Sequence, residues 1–189
     1  VRTFQTVSTY AEAITHPDET TNVMRRAFHH LRNGRPGPVI VEIPADVSQR
    51  ELSSDRINYR PPARSRQLPD LDHIEQAVDL LLKAEKPVIW AGMGVLFAGA
   101  TRALKELAET TGTPVFCTMG GKSAFDERHP LSLGAGSGAT TLPARRWIQD
   151  SDLLFAVGTS LTRTIYGQPI PDGKVIIHNT ESLEDINKD

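Results

Sequence analysis

The chain reads as an α/β protein: a doubly wound parallel sheet of Rossmann-like type, preceded by a partial α/β segment. Three observations carry that reading. Apolar runs recur at 87–91, 114–118, 152–157 and 174–178, stretches of helical periodicity separate them, and glycine closely follows three of the four. Strands apolar on both faces need cover on both sides, and parallel neighbours need crossover connections, which the intervening helices supply.

Taken in order, Val23, Met24, Ala27, Phe28 and Leu31 recur at the spacing of one helical face over 19–33, with Asp18 placed to cap the start and Gly34 the end. The run 34–47 then delivers a strand and stops it. Pro36 and Pro38 deny their neighbours a helical backbone, Val39, Ile40, Val41 and Ile43 suit a sheet, and Pro44 removes the next ladder donor. Residues 48–69 turn polar and proline-bearing, with Pro61, Pro62 and Pro69, and read as a linker. The expected division is therefore a first segment 1–47, a linker 48–69 and a second domain 70–189. The first segment has too few apolar residues for a core of its own.

In the second domain a helix is expected over 70–84, with Leu71, Ile74, Val78, Leu81 and Leu82 on one side, then a strand at 87–91. A helix at 98–111 stops at Gly112, a strand follows at 114–118, and a helix at 142–149 precedes the strand at 152–157. The strand at 174–178 completes the sheet.

Composition narrows the function classes. With 189 residues, 39% hydrophobic and 23% charged, the chain can bury a sizeable core, and a net charge of −2 argues against general polyanion binding. The single cysteine, Cys117 in PVFCT, reads as a buried strand residue. No window approaches the roughly 18 apolar residues of a membrane span, and the start has no signal-peptide core, so a cytoplasmic protein without membrane or nucleic-acid partners is expected. Both ends read as arbitrary cuts within a longer polypeptide.

In a doubly wound sheet, ligands bind beyond the carboxyl ends of the strands. Gly92 and Gly94 follow the first strand, Gly120 and Gly121 the second, and Gly158 the third, while Gly134, Gly136 and Gly138 lie between. Such glycines either let backbone donors approach a phosphate or simply permit tight turns. A nucleotide groove predicts that a valine at Gly94 costs nucleotide affinity more than stability. A standard NAD site is disfavoured, because WAGMGVLFAG has Phe97 where the third fingerprint glycine belongs, and the next strand ends at Thr118 and Met119 instead of an acid.

GRPGPVIVEIPADV, IWAGMGV, TGTPVFCTMGGKSAFDERHPLSLGAGSG and SDLLFAVGTSLT closely resemble thiamine diphosphate (TPP)-dependent enzymes of the acetolactate synthase and 2-oxoacid decarboxylase type. The resemblance assigns 1–47 to the end of the pyrimidine-binding domain and 70–189 to the central domain. It implies a lyase or transferase acting on a 2-oxo acid or acyl donor by decarboxylation or carboligation, assembled as a homo-oligomer, dimer or tetramer. It places the catalytic glutamate before this chain, and the motif that holds magnesium on the diphosphate after it. The segment is thus expected to hold no catalytic residue, no metal, and neither thiamine diphosphate nor Mg2+ by itself. In such enzymes the central domain carries FAD, ADP or nothing. The implied nucleotide contacts are Gly92, Gly94, Thr118, Met119, Leu133, Gly134, Gly158 and Thr159, with Arg163 a substitute for the arginine that flavin-binding relatives carry where Ser160 stands here. His178 replaces a customary aspartate, and Glu42 does not match the catalytic position.

Competing readings are a non-catalytic FAD- or ADP-binding module resembling the flavin domain of electron-transfer flavoproteins, and an NAD-dependent enzyme of the same topology. The 34–47 segment speaks against the first, and Phe97 and Thr118 against the second. No two of the six histidines have metal-ligand spacing with a third ligand nearby; adjacent His29 and His30 point to different sides of their helix, and His129 reads as a loop residue. Arg56, Arg60, Arg64 and Arg66 make the linker basic, but only Tyr59 is there to stack a base. Ser137 and Ser160 lack the strand-elbow context of a nucleophile.

Overall fold

The computed structural model describes residues 1–188 except 53, 66, 164 and 166; the expectations that involve Arg66 and Asp189 fall outside the described residues. The chain divides into two compact units, Val1–Gln67 and Leu68–Asp189.

In the first unit β1 (Tyr10–Ala13) pairs in parallel with β2 (Val39–Glu42), Tyr10 opposite Val39 and Ala13 opposite Glu42. Between them runs α1 (Thr20–Arg32), which buries Val23 and Ala27. The core is Ile14, Val23 and Val47, with Val41 packed against it. Pro44 ends the sheet as expected, and a single turn, α2 (Ala45–Ser48), follows. Ile43 lies past the strand and is exposed. Asp18 does not cap α1. It sits in the 3-10 turn Pro17–Glu19, and its carboxylate pairs with Arg56.

The stretch expected to be a linker is strapped onto α1. Arg25 donates to the Asn58 carbonyl at 2.8 Å, Arg32 to the Pro62 carbonyl at 3.1 Å, and the Asn33 carboxamide oxygen accepts from the Ser65 N–H at 2.6 Å. Phe28 and Tyr59 meet edge to face. Polar side chains reaching to backbone groups thus order a segment that has few apolar anchors.

The second unit opens with α3 (Leu71–Lys83), whose N-cap Asp70 accepts from the Asp72 N–H at 3.0 Å. There follow β3 (Pro87–Ala91), α4 (Met93–Phe97), α5 (Thr101–Thr111), β4 (Val115–Cys117), β5 (Ser132–Ala135), α6 (Leu142–Asp150), β6 (Leu153–Val157) and β7 (Val175–Asn179). The five strands are all parallel, in the order β5-β4-β3-β6-β7. The short α4 departs from expectation, and Gly99 with φ +64° separates it from α5, which is the helix expected over 98–111 and stops as expected at Gly112 with φ +65°. A left-handed residue there satisfies a terminal carbonyl without the clash a Cβ brings.

Each sheet face has its own core. Ile89, Ala91, Val115 and Cys117 pack with Leu104 and Ala108 of α5 on one side, and Val88, Trp90, Phe116 and Leu154 with Ala144 and Ile148 of α6 on the other. Doubly wound architecture is therefore observed as expected. α3 differs from its expected role. Only Leu81 of its stripe is buried, while Leu71, Ile74, Val78 and Leu82 are exposed. At the amino end of the sheet, the Asp152 carboxylate accepts from the N–H groups of Glu85 at 2.7 Å and Lys86 at 2.9 Å. Desolvation raises its pKa, but these and further backbone donors outweigh it and hold the group below the usual carboxylate range.

Candidate functional site: the carboxyl edge of the five-stranded sheet

The order of strands places a topological switch point between β3 and β6, because successive strands build outward from β3 to β5 on one side and from β6 to β7 on the other. The crevice beyond the carboxyl ends at such a point is the ligand site of open α/β sheets. Both loops that border it here carry glycine.

Gly92, Gly94, Gly158 and Thr159 are brought together. A Cβ on Gly92 would lie 2.2 Å from the Gly158 carbonyl oxygen and 2.6 Å from the Thr159 Cα; one on Gly94 would lie 2.7 Å from the Gly158 Cα. Gly158 itself has φ +62°, and a Cβ there would sit 2.6 Å from the Val95 nitrogen. These glycines allow two backbones to touch. Their N–H groups are engaged within the protein: Gly92 donates to the Val157 carbonyl, Gly94 to that of Gly158 and Gly158 to that of Asn179, each at 2.8 Å. A side chain at Gly94 would therefore strike backbone before it met any ligand, and the cost falls on stability.

The remaining expected positions are spread along the edge. Thr118 follows β4, donates its N–H to the Ala91 carbonyl at 2.9 Å, and accepts at its hydroxyl from the Gly121 N–H at 2.9 Å. Met119 is exposed. Leu133 and Gly134 lie in β5, with β4 between them and β3; the Leu133 carbonyl accepts from the Thr141 hydroxyl, and Leu133 packs on the α6-side core. Ser160 pairs its hydroxyl with that of Thr162 at 2.9 Å. Arg163 is exposed and already has an interaction of its own.

Two further side chains take part: His178, which the sequence marks only as replacing a customary aspartate, and Lys188, which it does not mark. His178 Nε2 stands 2.8 Å from the Thr159 carbonyl, which can only accept, so that nitrogen carries the proton. Lys188 donates to the Thr162 hydroxyl at 2.7 Å and to Asp185 Oδ1 at 2.6 Å, and the Asp185 side chain is only 5% exposed. No sequence signal announces this pair, since the turn Leu183–Asp185 that positions Asp185 follows no periodic pattern.

Elsewhere, Cys117 is buried at the end of β4, and desolvation pushes its thiol pKa up, which keeps it protonated and unreactive. His129 Nδ1 accepts from the Leu131 N–H at 3.2 Å, so Nε2 faces the Glu109 carboxylate as donor at 3.2 Å. His29 and His30 meet edge to face with centroids 5.9 Å apart. Among the described residues no group of three or more histidine, cysteine or acidic side chains is placed to hold a metal, and no helix is long and apolar enough to cross a membrane. Trp90 Nε1 is the one buried side-chain polar atom there without a partner; it lies on the α6 face, against Phe116.

The order of strands and the glycine turns at the switch point define a Rossmann-like domain. Residues 74–189 match the thiamine pyrophosphate enzyme central domain, and the chain belongs to that family. It is 38% identical over 180 residues to the acetolactate synthase large subunit of Corynebacterium glutamicum, covering 90% of this chain and 28% of that protein. It is 37% identical over 176 residues to an acetolactate synthase of Mycobacterium leprae, covering 88% and 28%. It is 36% identical over 164 residues to a glyoxylate carboligase of Escherichia coli O157:H7, covering 82% and 27%. The chain thus spans less than a third of the length of these relatives.

Proposed function

We propose that the chain is the middle portion of a longer thiamine diphosphate- and Mg2+-dependent enzyme that acts on a 2-oxo acid or acyl donor by decarboxylation or carboligation. The supporting observation is similarity that runs through both units, 38% over 180 residues, to a relative named acetolactate synthase, with a second relative named glyoxylate carboligase. When bound, thiamine diphosphate supplies an electron sink for breaking the bond next to the substrate carbonyl. On this reading residues 1–47 belong to the pyrimidine-binding domain and 70–189 to the central domain, which contributes scaffold. The enzyme is cytoplasmic and a homo-oligomer, dimer or tetramer.

The test has two arms. The intact enzyme is assayed for carbon dioxide release from glyoxylate, and release that requires both added thiamine diphosphate and Mg2+ is expected; release indifferent to them contradicts the reading. Calorimetric titration of residues 1–189 with the cofactor and Mg2+ is expected to give no saturable heat. Tight binding there would place the reactive centre inside this segment.

A further inference from the structure

The glycine edge invites a dinucleotide, and its geometry argues against one. We propose that the switch-point crevice of this domain is a backbone-locked junction between the β3–α4 turn and the loop after β6, and that it takes neither FAD nor ADP. The proposal rests on the reading of residues 70–189 as the central domain of a thiamine enzyme, and it assigns the state of that domain's nucleotide edge.

A diphosphate at such an edge needs space, backbone donors and a cation. Space is the first deficiency. The positions where Cβ atoms of Gly92, Gly94 and Gly121 would stand are taken by the backbone of Gly158, Thr159, Ala91 and Gly92, all within 2.9 Å. The absent side chains make room for protein, not for ligand.

Donors at the close-packed glycines are the second deficiency. The N–H groups of Gly92, Gly94 and Gly158 end on carbonyls at 2.8 Å, that of Val95 on the Gly92 carbonyl at 3.2 Å, and that of Gly121 on Thr118. On the β5 side, the Gly136 N–H donates to the Cys117 carbonyl at 2.9 Å, and a Cβ there would stand 2.2 Å from the Phe116 ring. A phosphate would have to break these bonds before making its own, which cancels most of the gain.

Cations are the third. Ser160 stands two residues after Gly158 and is bonded to Thr162, Arg163 has its own interaction, and Lys188 is matched to the buried carboxylate of Asp185. Lys188 is thereby neutralised by Asp185, and Ser160 contributes no charge. Trp90 does not reverse the balance, because its N–H lies on the α6 face of the sheet within an apolar cluster.

The experiment is calorimetric titration of the intact enzyme with ADP and with FAD, alongside its absorption spectrum as purified and its unfolding temperature with each nucleotide at about 1 mM, a concentration that detects binding as weak as millimolar. The expected result is no saturable heat, no flavin absorbance and no rise in unfolding temperature. Saturable binding of either nucleotide, or a yellow protein as purified, overturns the proposal. Cofactor-dependent carbon dioxide release is scored separately. Its loss would strike the functional reading, whereas nucleotide binding with that release intact would strike only the locked edge.

Discussion

The two units solve the same problem with opposite resources. The second unit buries two apolar clusters against the two faces of a five-stranded sheet, and its switch-point loops lock backbone to backbone, with His178 held on the Thr159 carbonyl. The first has a core of only Ile14, Val23 and Val47 beside a two-stranded sheet, and holds its long 54–65 segment with side chains that reach for carbonyls. A two-stranded sheet is marginal in water without further cover. Apolar area tolerates the loss of one hydrogen bond, while a three-residue core has no reserve against the loss of one methyl cluster.

The sharpest way to break that contrast is at the glycine junction. Replacing Gly158 with alanine places a Cβ against the Val95 nitrogen and the Gly94 backbone and imposes a left-handed φ on a residue with a side chain. A loss of about 4 kcal/mol in urea unfolding of the second unit is expected, from overpacking and backbone strain together. A loss below about 1 kcal/mol, the cost of the φ alone, would mean that the loops are free to part.

Next comes Ile14→Ala, which empties one of three core positions in the first unit. The expected cost is about 3 kcal/mol. By circular dichroism and tryptophan fluorescence the first unit should melt early while the second, which holds both Trp90 and Trp147, keeps its transition. A single shared shift would show one cooperative body instead.

Asp152→Asn tests the amino end of the sheet at a smaller scale, about 1 kcal/mol for a carboxylate that is exposed yet holds two backbone donors. The sign of its pH dependence follows from a lowered folded-state pKa. The stabilisation is present above the unfolded value of about 3.9 and is lost as pH falls through the lower folded value. The variant should therefore have a shallower acid-unfolding slope than the parent chain; an unchanged slope contradicts the assignment. Smallest is Trp90→Phe. It removes a buried donor without a partner, which offsets the lost ring volume, so a change within about 1 kcal/mol is expected by thermal unfolding. A much larger loss would reveal that the indole N–H has a partner in solution.

Much of this architecture is legible in the amino-acid pattern, for identifiable reasons. β3, β4 and β6 fall on the apolar runs because strands buried on both faces leave no polar alternation to confuse with loops. β7 falls on its run through its β-branched residues, although Val175 and Ile176 are exposed at the sheet edge. β1 and β5, YAEA and SLGA, escape notice. Alanine, serine and glycine have little strand preference, and these segments are extended because β2 and β4 offer them ladders. The apolar side of α3 is visible as periodicity, but periodicity reports which side is apolar, not whether anything covers it. The straps from α1 to 58–65 leave no trace in hydropathy, since they run from side chains to carbonyls. The candidate site divides similarly. Gly92, Gly94 and Gly158 are readable as a cluster at one edge, whereas whether such glycines admit a ligand or each other depends on a separation between distant loops that no local spacing encodes.

The most direct test is native-state amide exchange read residue by residue in the protein without nucleotide. The account predicts that the amides of Gly92, Gly94 and Gly158 exchange in the slowest class together with the β3–β6 ladder, while those of β1 and β2 open earlier, and that ADP or FAD changes none of them. Gly94 and Gly158 exchanging like exposed loop amides, or becoming protected only when a nucleotide is added, would contradict it.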